Sequence, residues 1–199
     1  MMKVESNIIC VAADTMIATE TGEKRIEDVR AGSRVITFDF DSQATRCINV
    51  ERHASSRHGR AVKIGFSHGR ELACTEDHPL WVLRRGWSSI APAATLAKYG
   101  VDASHLVVGD SVLSFDGVTM GEARVTYIQE THGDFQMYVI SGGADHCFFA
   151  NGVLVHDENV SNICVEVPVR LPKLRSATSS SYNAGSVTEA EPVLHAKEL

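Results

Sequence analysis

The chain has 199 residues, of which 44 % are apolar, and this is enough for one domain with a substantial core. Its formal net charge of −6 gives no basic field for phosphates, which argues against nucleic acid or an anionic membrane as the main partner. No apolar run approaches the roughly 20 residues that span a bilayer, and the N-terminus MMKVESNIIC lacks the apolar core of a signal peptide. The five cysteines are scattered and odd in number, so reduced thiols are expected rather than a disulfide framework.

Short β-type runs separated by turn residues follow one another along most of the chain. The predicted strands are Thr15–Thr19, Val35–Phe38, Ile48–Glu51, Ala61–Phe66, Glu71–Thr75, Pro79–Leu83, Leu106–Phe115, Arg124–Gln129 and Phe135–Ile140. Turns are expected at Asp116-Gly117 and His132-Gly133. One helix is predicted, Ala93–Tyr99, ended by Gly100 as a C-cap. The pattern indicates an all-β domain.

The stretch Met137–Asp157, MYVISGGADHCFFANGVLVHD, contains the strongest hairpin signal. Asn151-Gly152 joins two short β-type runs, as in two-residue hairpin turns. The second run leads directly into His156-Asp157 and so places an imidazole and a carboxyl at the end of a strand. A purely structural hairpin does not need such a pair.

Cys10 precedes the first strand and is a candidate nucleophile that could meet this pair. A free cysteine is more often a small buried hydrophobe, so Cys10 alone indicates little. Thr75 and His78, in LACTEDHPL, lie three residues apart between two strands, where both could point at one backbone amide. The alternative is a turn built by Thr75, Asp77 and Pro79 with a solvated His78. For His146 the alternative is a surface residue in a turn.

A structural zinc site is the competing interpretation of these residue types. Cys74, His78, His146 and Cys147 could be combined into one. However, the chain has no C-x₂-C pair and no H-x₃₋₅-H pair, and we expect no metal and no cofactor. It also has no Walker motif, GxGxxG, HExxH or GxSxG.

Taken together and in order, these segments resemble the Hint superfamily, which comprises inteins and Hedgehog-type autoprocessing domains. CVAADTMIATETGEKRIEDVRAGSRVITFD resembles the opening block with its nucleophilic cysteine, LACTEDHPL resembles the T-x-x-H block, and the Met137–Asp157 stretch resembles the closing blocks. The resemblance covers about residues 10–157. It implies a compact all-β horseshoe that brings both ends of the domain together. Residues 1–9 would then be an upstream flanking segment and 158–199 a C-terminal extension.

The resemblance also implies a reaction and a role for each matching residue. Cys10 would attack the carbonyl of Ile9 and convert the amide into a thioester, which water, a thiol or another nucleophile then opens. His78 would protonate the leaving nitrogen, and Thr75 would help to stabilise the oxyanion. His146 and His156 would be the late-block and penultimate histidines, and Asp157 would occupy the position of the terminal asparagine. The substrate would be the flanking polypeptide of the same chain.

Three departures from the splicing pattern favour N-terminal cleavage over full splicing. Asp157 lacks the side-chain nitrogen that forms a succinimide, Glu158 lacks a hydroxyl or thiol acceptor, and Val139 stands where many inteins have an aspartate. Two functions therefore stay open: a single-turnover autoprocessing domain, and an inactive Hint-fold interaction module. A cysteine protease acting on other proteins is a minor third, because its local motifs are missing.

The composition changes after Asp157. Residues 176–188 are rich in Ser and Thr, and 176–199 has no apolar period, so we predict a flexible tail there. Asn162–Val169 could still pair as an edge strand.

Overall fold

The computed structural model of this chain describes residues 9–157, which form mostly antiparallel strands and one α-helix. The first strands are β1 (Val11–Ala12), β2 (Met16–Thr19), β3 (Gly22–Arg25), β4 (Arg34–Asp39), β5 (Ala44–Asn49), β6 (Arg52–Phe66) and β7 (Glu71–Cys74). The others are β8 (Leu80–Val82), β9 (Gly86–Ser89), β10 (Ser104–His105), β11 (Ser111–Phe115), β12 (Met120–Ser141), β13 (Cys147–Ala150) and β14 (Val153–His156). A 3₁₀ turn covers Ile26–Asp28, and helix α1 covers Pro92–Tyr99. The all-β prediction is confirmed.

The strand order brings both ends of the described chain to the same region of the sheet. The hydrogen-bonded path runs β1-β7-β6-β12-β11-β8-β14-β13-β2-β4-β5, and β1 also pairs with β12. The first strand therefore neighbours β7, and the last strand neighbours β8. Since β7 and β8 follow one another in sequence, the loop that connects them lies between the two ends.

The two longest strands form an antiparallel ribbon. β6 and β12 pair from Phe66 opposite Val125 to Arg52 opposite Ser141. The register shifts between His132 and Phe135, where we predicted a turn at His132-Gly133. That prediction was wrong: the glycine lies within a bulge, and β12 continues through it because β6 supplies partners on both sides.

The signals for the closing hairpin and the helix were correct. β13 and β14 pair around Asn151-Gly152, whose φ angles of 47° and 81° match a turn that needs two left-handed residues. Helix α1 ends at Gly100, which has φ 69° and donates its N–H to the carbonyl of Leu96. Proline at the first helical position explains why the helix begins one residue earlier than predicted.

A buried apolar cluster joins the two halves of the sheet. It includes Ile17, Ile64, Leu72, Leu80, Val112, Phe148, Val153 and Val155. Within residues 9–157, no helix is long and apolar enough to cross a membrane. The predicted edge strand Asn162–Val169 and the predicted tail 176–199 lie outside the described residues.

Candidate active site

The loop between β7 and β8 connects the strand beside Cys10 to the strand beside His156. Cys74, the last residue of β7, pairs with Val11. Leu80, the first residue of β8, pairs with Val155, and the His156 N–H donates to the carbonyl of Pro79 at 3.0 Å. The short segment from Thr75 to Pro79 therefore has one end fixed to each terminus.

Thr75 holds the peptide unit on both sides of Cys10. The Cys10 N–H donates to Thr75 Oγ1 at 3.3 Å, and the Thr75 N–H donates to the Cys10 carbonyl at 3.0 Å. Both Ile9 and Cys10 are fully buried. Thr75 thus binds the nitrogen of the Ile9–Cys10 bond as an acceptor, whereas the oxyanion role implied by the resemblance would require its hydroxyl to donate.

His78 is buried, so the alternative of a solvated His78 is wrong. Burial lowers the pKa of His78 to about 4, although the main chain of Cys10 and the charge of Asp77 oppose this shift. Within the described residues neither ring nitrogen has a well-aligned hydrogen-bond partner. At pH 7 the ring is therefore neutral, with both nitrogens available to exchange a proton beside the backbone of Cys10.

Helix α1 fixes this loop through Asp77. Lys98 Nζ and the Tyr99 hydroxyl donate to Asp77 Oδ2 at 2.8 and 3.1 Å, and Thr95 Oγ1 donates to the Asp77 carbonyl at 2.9 Å. Burial alone would raise the pKa of Asp77, but hydrogen bonds from Lys98, Thr75 and Tyr99 outweigh it and lower the pKa. The carboxylate stays charged next to His78, and helix α1 supports the T-x-x-H segment.

At the other end, His156 contacts the carbonyl of the residue that follows it. His156 Nδ1 lies 2.5 Å from the Asp157 carbonyl oxygen, and the ring packs edge-on against Trp87 with centroids 4.8 Å apart. Burial lowers the pKa of His156, while the Asp157 main chain opposes the shift. The ring can donate to that carbonyl when Nδ1 carries the proton.

The Asp157 side chain is buried and faces His146. One carboxylate oxygen lies 3.4 Å from His146 Nδ1, and the other accepts from the Gly142 N–H at 3.2 Å. A side chain at Gly142 could not be accommodated, since its Cβ would lie 2.3 Å from the Asn49 carbonyl. Asp157 raises the pKa of His146, whose ring stacks on His156 at 6.4 Å. His146 is therefore part of this cluster and not an isolated surface residue.

The four residues considered as zinc ligands do not converge. Within residues 9–157, no three His, Cys, Asp or Glu side chains are arranged to hold a metal ion. The Cys147 sulfur lies 3.1 Å from Thr37 Oγ1, and burial raises the pKa of its thiol to about 12. Burial also raises the pKa of Cys74. Cys47, Cys74 and Cys147 are free thiols.

The structure adds two polar residues that we did not predict. Ser56 Oγ lies 3.6 Å from Cys10 Sγ and 2.7 Å from His58 Nε2. Both residues belong to β6 and approach Cys10 because β1 and β6 each pair with β12 near Met137. No local motif marks them, since their proximity depends on contacts 46 positions apart.

Comparison with known proteins places the chain in a family. Residues 12–116, more than half of the chain, match the model of the Ataxin-1 and HBP1 module, AXH. The chain belongs to the AXH family. The matching region contains Thr75 and His78, whereas Cys10 and the β13–β14 hairpin lie outside it.

Two curated proteins match the sequence of this AXH domain. DNA topoisomerase 1 of Pyrococcus furiosus is 30 % identical over 91 residues, which is 45 % of this chain and 8 % of that protein. HMG box-containing protein 1 of Bos taurus is 29 % identical over 94 residues, which is 44 % of this chain and 17 % of that protein. The chain thus spans only a small part of either relative.

Solved structures of inteins share the fold of this AXH domain. An intein-like domain from Clostridium thermocellum superposes with a TM-score of 0.61 at 24 % identity, covering 74 % of this chain and 98 % of that one. A DnaX mini-intein from Spirulina platensis gives 0.59 at 23 %, covering 74 % and 99 %. A variant of the Ssp DnaB mini-intein gives 0.63 at 14 %, covering 80 % and 99 %. The intein-like fold expected from the sequence is confirmed.

Proposed function

We propose that this domain catalyses one rearrangement of its own chain, an N-to-S acyl shift at Ile9–Cys10, followed by release of the upstream segment. The observation that supports it most strongly is the contact of Thr75 and His78 with Cys10. Thr75 Oγ1 accepts a hydrogen bond from the nitrogen that must leave, and the buried His78 ring lies next to the main chain of Cys10. The residues involved would be Cys10, Thr75 and His78 upstream, with His146, His156 and Asp157 at the downstream end.

The proposed step moves an acyl group from nitrogen to sulfur. The Cys10 thiol loses its proton, and the sulfur forms a bond to the carbonyl carbon of Ile9. The bond between that carbon and the Cys10 nitrogen breaks, and the nitrogen takes a proton from His78 and becomes an amine. Solvent water restores the proton to His78. Water, a thiol or another nucleophile then releases the upstream segment.

The low pKa of His78 makes its protonated form scarce at pH 7 but strongly acidic. With a pKa of about 4, only about one molecule in a thousand carries the imidazolium at pH 7. That rare form is a much stronger acid than an ordinary histidine and can protonate an amide nitrogen as it leaves. Thr75 keeps this nitrogen in place while the bond breaks.

The downstream end is not equipped for splicing. Asp157 has no side-chain nitrogen with which to close a succinimide, and its carboxylate already contacts Gly142 and His146. Glu158 has no hydroxyl or thiol to accept an acyl group. The expected product is a cleaved upstream segment without ligation. We also propose the domain boundaries 1–9, 10–157 and 158–199 on this basis.

A second candidate function is an interaction module that keeps the fold without the reaction. The AXH match favours it, because residues 12–116 include neither Cys10 nor the residues of the closing hairpin. The two candidates differ in one observable, namely whether the upstream bond breaks.

A reporter protein fused before Met1 tests the proposal. We expect intact mass to show reporter release that ends at Ile9, that a small thiol accelerates it, and that Cys10→Ala abolishes it. Cys47→Ala, which changes another free thiol, is the matched control and should cleave like the parent. An uncleaved parent fusion would favour the interaction module.

A further inference from the structure

We propose that Ser56 and His58 form a proton relay that activates the Cys10 thiol. The inference deepens the proposed function and rests on it, because it names the group that takes the thiol proton.

The surroundings of Cys10 are largely apolar. The buried residue packs in a cluster with Ala61, Met137 and Val139. None of these side chains can accept a proton, and an apolar site disfavours the thiolate that must attack the carbonyl. A thiol in this cluster therefore needs a polar neighbour that can carry its proton away from the sulfur.

Ser56 is such a neighbour, and His58 lies beyond it on the same strand, β6. Ser56 Oγ lies 3.6 Å from Cys10 Sγ, within hydrogen-bond range for sulfur, and 2.7 Å from His58 Nε2. The two side chains lie two positions apart on β6 and so project from the same face of the strand. Sulfur, oxygen and nitrogen thus form a continuous hydrogen-bonded chain.

The register of the ribbon fixes this chain. Ser56 pairs with Met137 and His58 with Phe135, while Ala12 of β1 also pairs with Met137. β12 therefore sets the position of the thiol on one side and of the relay on the other. The register shift between His132 and Phe135 directly follows the pair of His58 with Phe135, and regular pairing resumes at His132 opposite Arg60.

The proposed transfer conserves protons at every step. The Cys10 thiol gives its proton to Ser56 Oγ, while the Ser56 hydroxyl gives its own to His58 Nε2. This requires a neutral His58 with its proton on Nδ1. An electron pair of the Cys10 sulfur forms the bond to the Ile9 carbonyl carbon. The imidazolium of His58 later releases its proton to solvent water. His78 donates a proton to the Cys10 nitrogen, whereas the relay accepts a proton from the Cys10 sulfur.

Charged side chains lie near His58 in the register of the ribbon or pair with its sequence neighbours. They are Arg57 and Arg60 of β6, Glu130, His132 and Asp134 of β12, and Glu76 of the loop after β7. Arg57 pairs with Asp134 at 2.9 Å, and Arg60 contacts Glu76 and Glu130. Each arginine is therefore paired with at least one carboxylate.

The experiment uses the reporter fusion and a titration of the full chain. His58→Gln keeps a hydrogen-bonding side chain next to Ser56 but takes no proton between pH 5 and 9. We expect thiol-induced release at pH 7 to slow by at least about 10²-fold, the low end for loss of a general base. The deficit should shrink toward about pH 9.5, where hydroxide takes the thiol proton directly. Ser56→Ala should behave alike, and His132→Gln, an exposed change on the partner strand, should match the parent.

A cysteine-labelled NMR titration separates this inference from the proposed function. The ¹³Cβ signal of Cys10, identified by its loss in Cys10→Ala, should inflect between pH 5 and 8, where imidazoles titrate. The inflection should persist in His132→Gln and vanish in His58→Gln, even if no reporter is released. If the inflection vanishes in His58→Gln but the parent fusion releases no reporter, the proposed function is overturned and the relay is supported. An unchanged inflection in His58→Gln, or a deficit in release that is equal at every pH, would overturn the relay.

Discussion

The buried, neutral His78 makes the fold sensitive to acid by an amount that can be worked out. Its pKa is about 4 in the folded chain and about 6.5 in the unfolded chain. Below about pH 6.5 the unfolded chain binds a proton that the folded chain resists, so stability falls as the pH drops from about 6.5 toward about 4. The full shift corresponds to about 3 kcal/mol, and about 2 kcal/mol of it is lost between about pH 7 and about pH 4.5.

His78→Gln removes this titration and keeps a polar side chain of similar size. We expect the free energy of unfolding, measured by urea denaturation, to fall between these two pH values by about 2 kcal/mol less in the variant than in the parent. Any cost of the substitution that does not depend on pH cancels in this difference. His132→Gln is the exposed control and should match the parent. Equal acid sensitivity of His78→Gln and the parent would show that His78 does not have the lowered pKa on which the mechanism depends.

Three further substitutions test other parts of the site. His78→Ala should slow thioester formation by roughly 10²-fold or more, the scale for loss of a general acid, and unchanged reporter release in that variant would remove His78 from the mechanism. Lys98→Met should lower the free energy of unfolding by roughly 1–2 kcal/mol, because Asp77 loses a charged hydrogen-bond partner; the exposed Lys24→Met is the control, and equal urea midpoints would refute the contribution of helix α1. Asp157→Asn supplies the missing amide next to His156, so a slow C-terminal cleavage should appear by mass spectrometry; an intact downstream bond would show that the asparagine is not the only missing part.

Local signals predicted the elements whose conformation depends on a few neighbouring residues. Asn151-Gly152 permits the two left-handed φ angles of the hairpin turn, and Gly100 permits the left-handed helix cap. Thr75 and His78 were identified by spacing; Thr75 contacts the amide nitrogen of Cys10, and His78 lies near the Cys10 main chain, while their catalytic roles stay a prediction. In these cases the residues that carry the signal also create the geometry.

The features that we did not predict depend on pairing between strands that lie far apart in the sequence. β12 runs through His132-Gly133 because β6 provides partners there, and a local turn signal cannot weigh that contribution. β3 consists of exposed glycine and charged residues and lacks an apolar alternation. The contact of Ser56 with Cys10 depends on the register of two separate pairings to β12, so no spacing within the chain indicates it.

The most direct test of the proposed reaction is a fusion with reporter proteins on both sides, incubated with an excess of a small thiol and followed by intact mass. We expect an upstream reporter that carries Met1–Ile9 and ends in the thioester of the added thiol, no ligated product, and no release in Cys10→Ala. A product that joins the two reporters, or upstream release that survives Cys10→Ala, would contradict it.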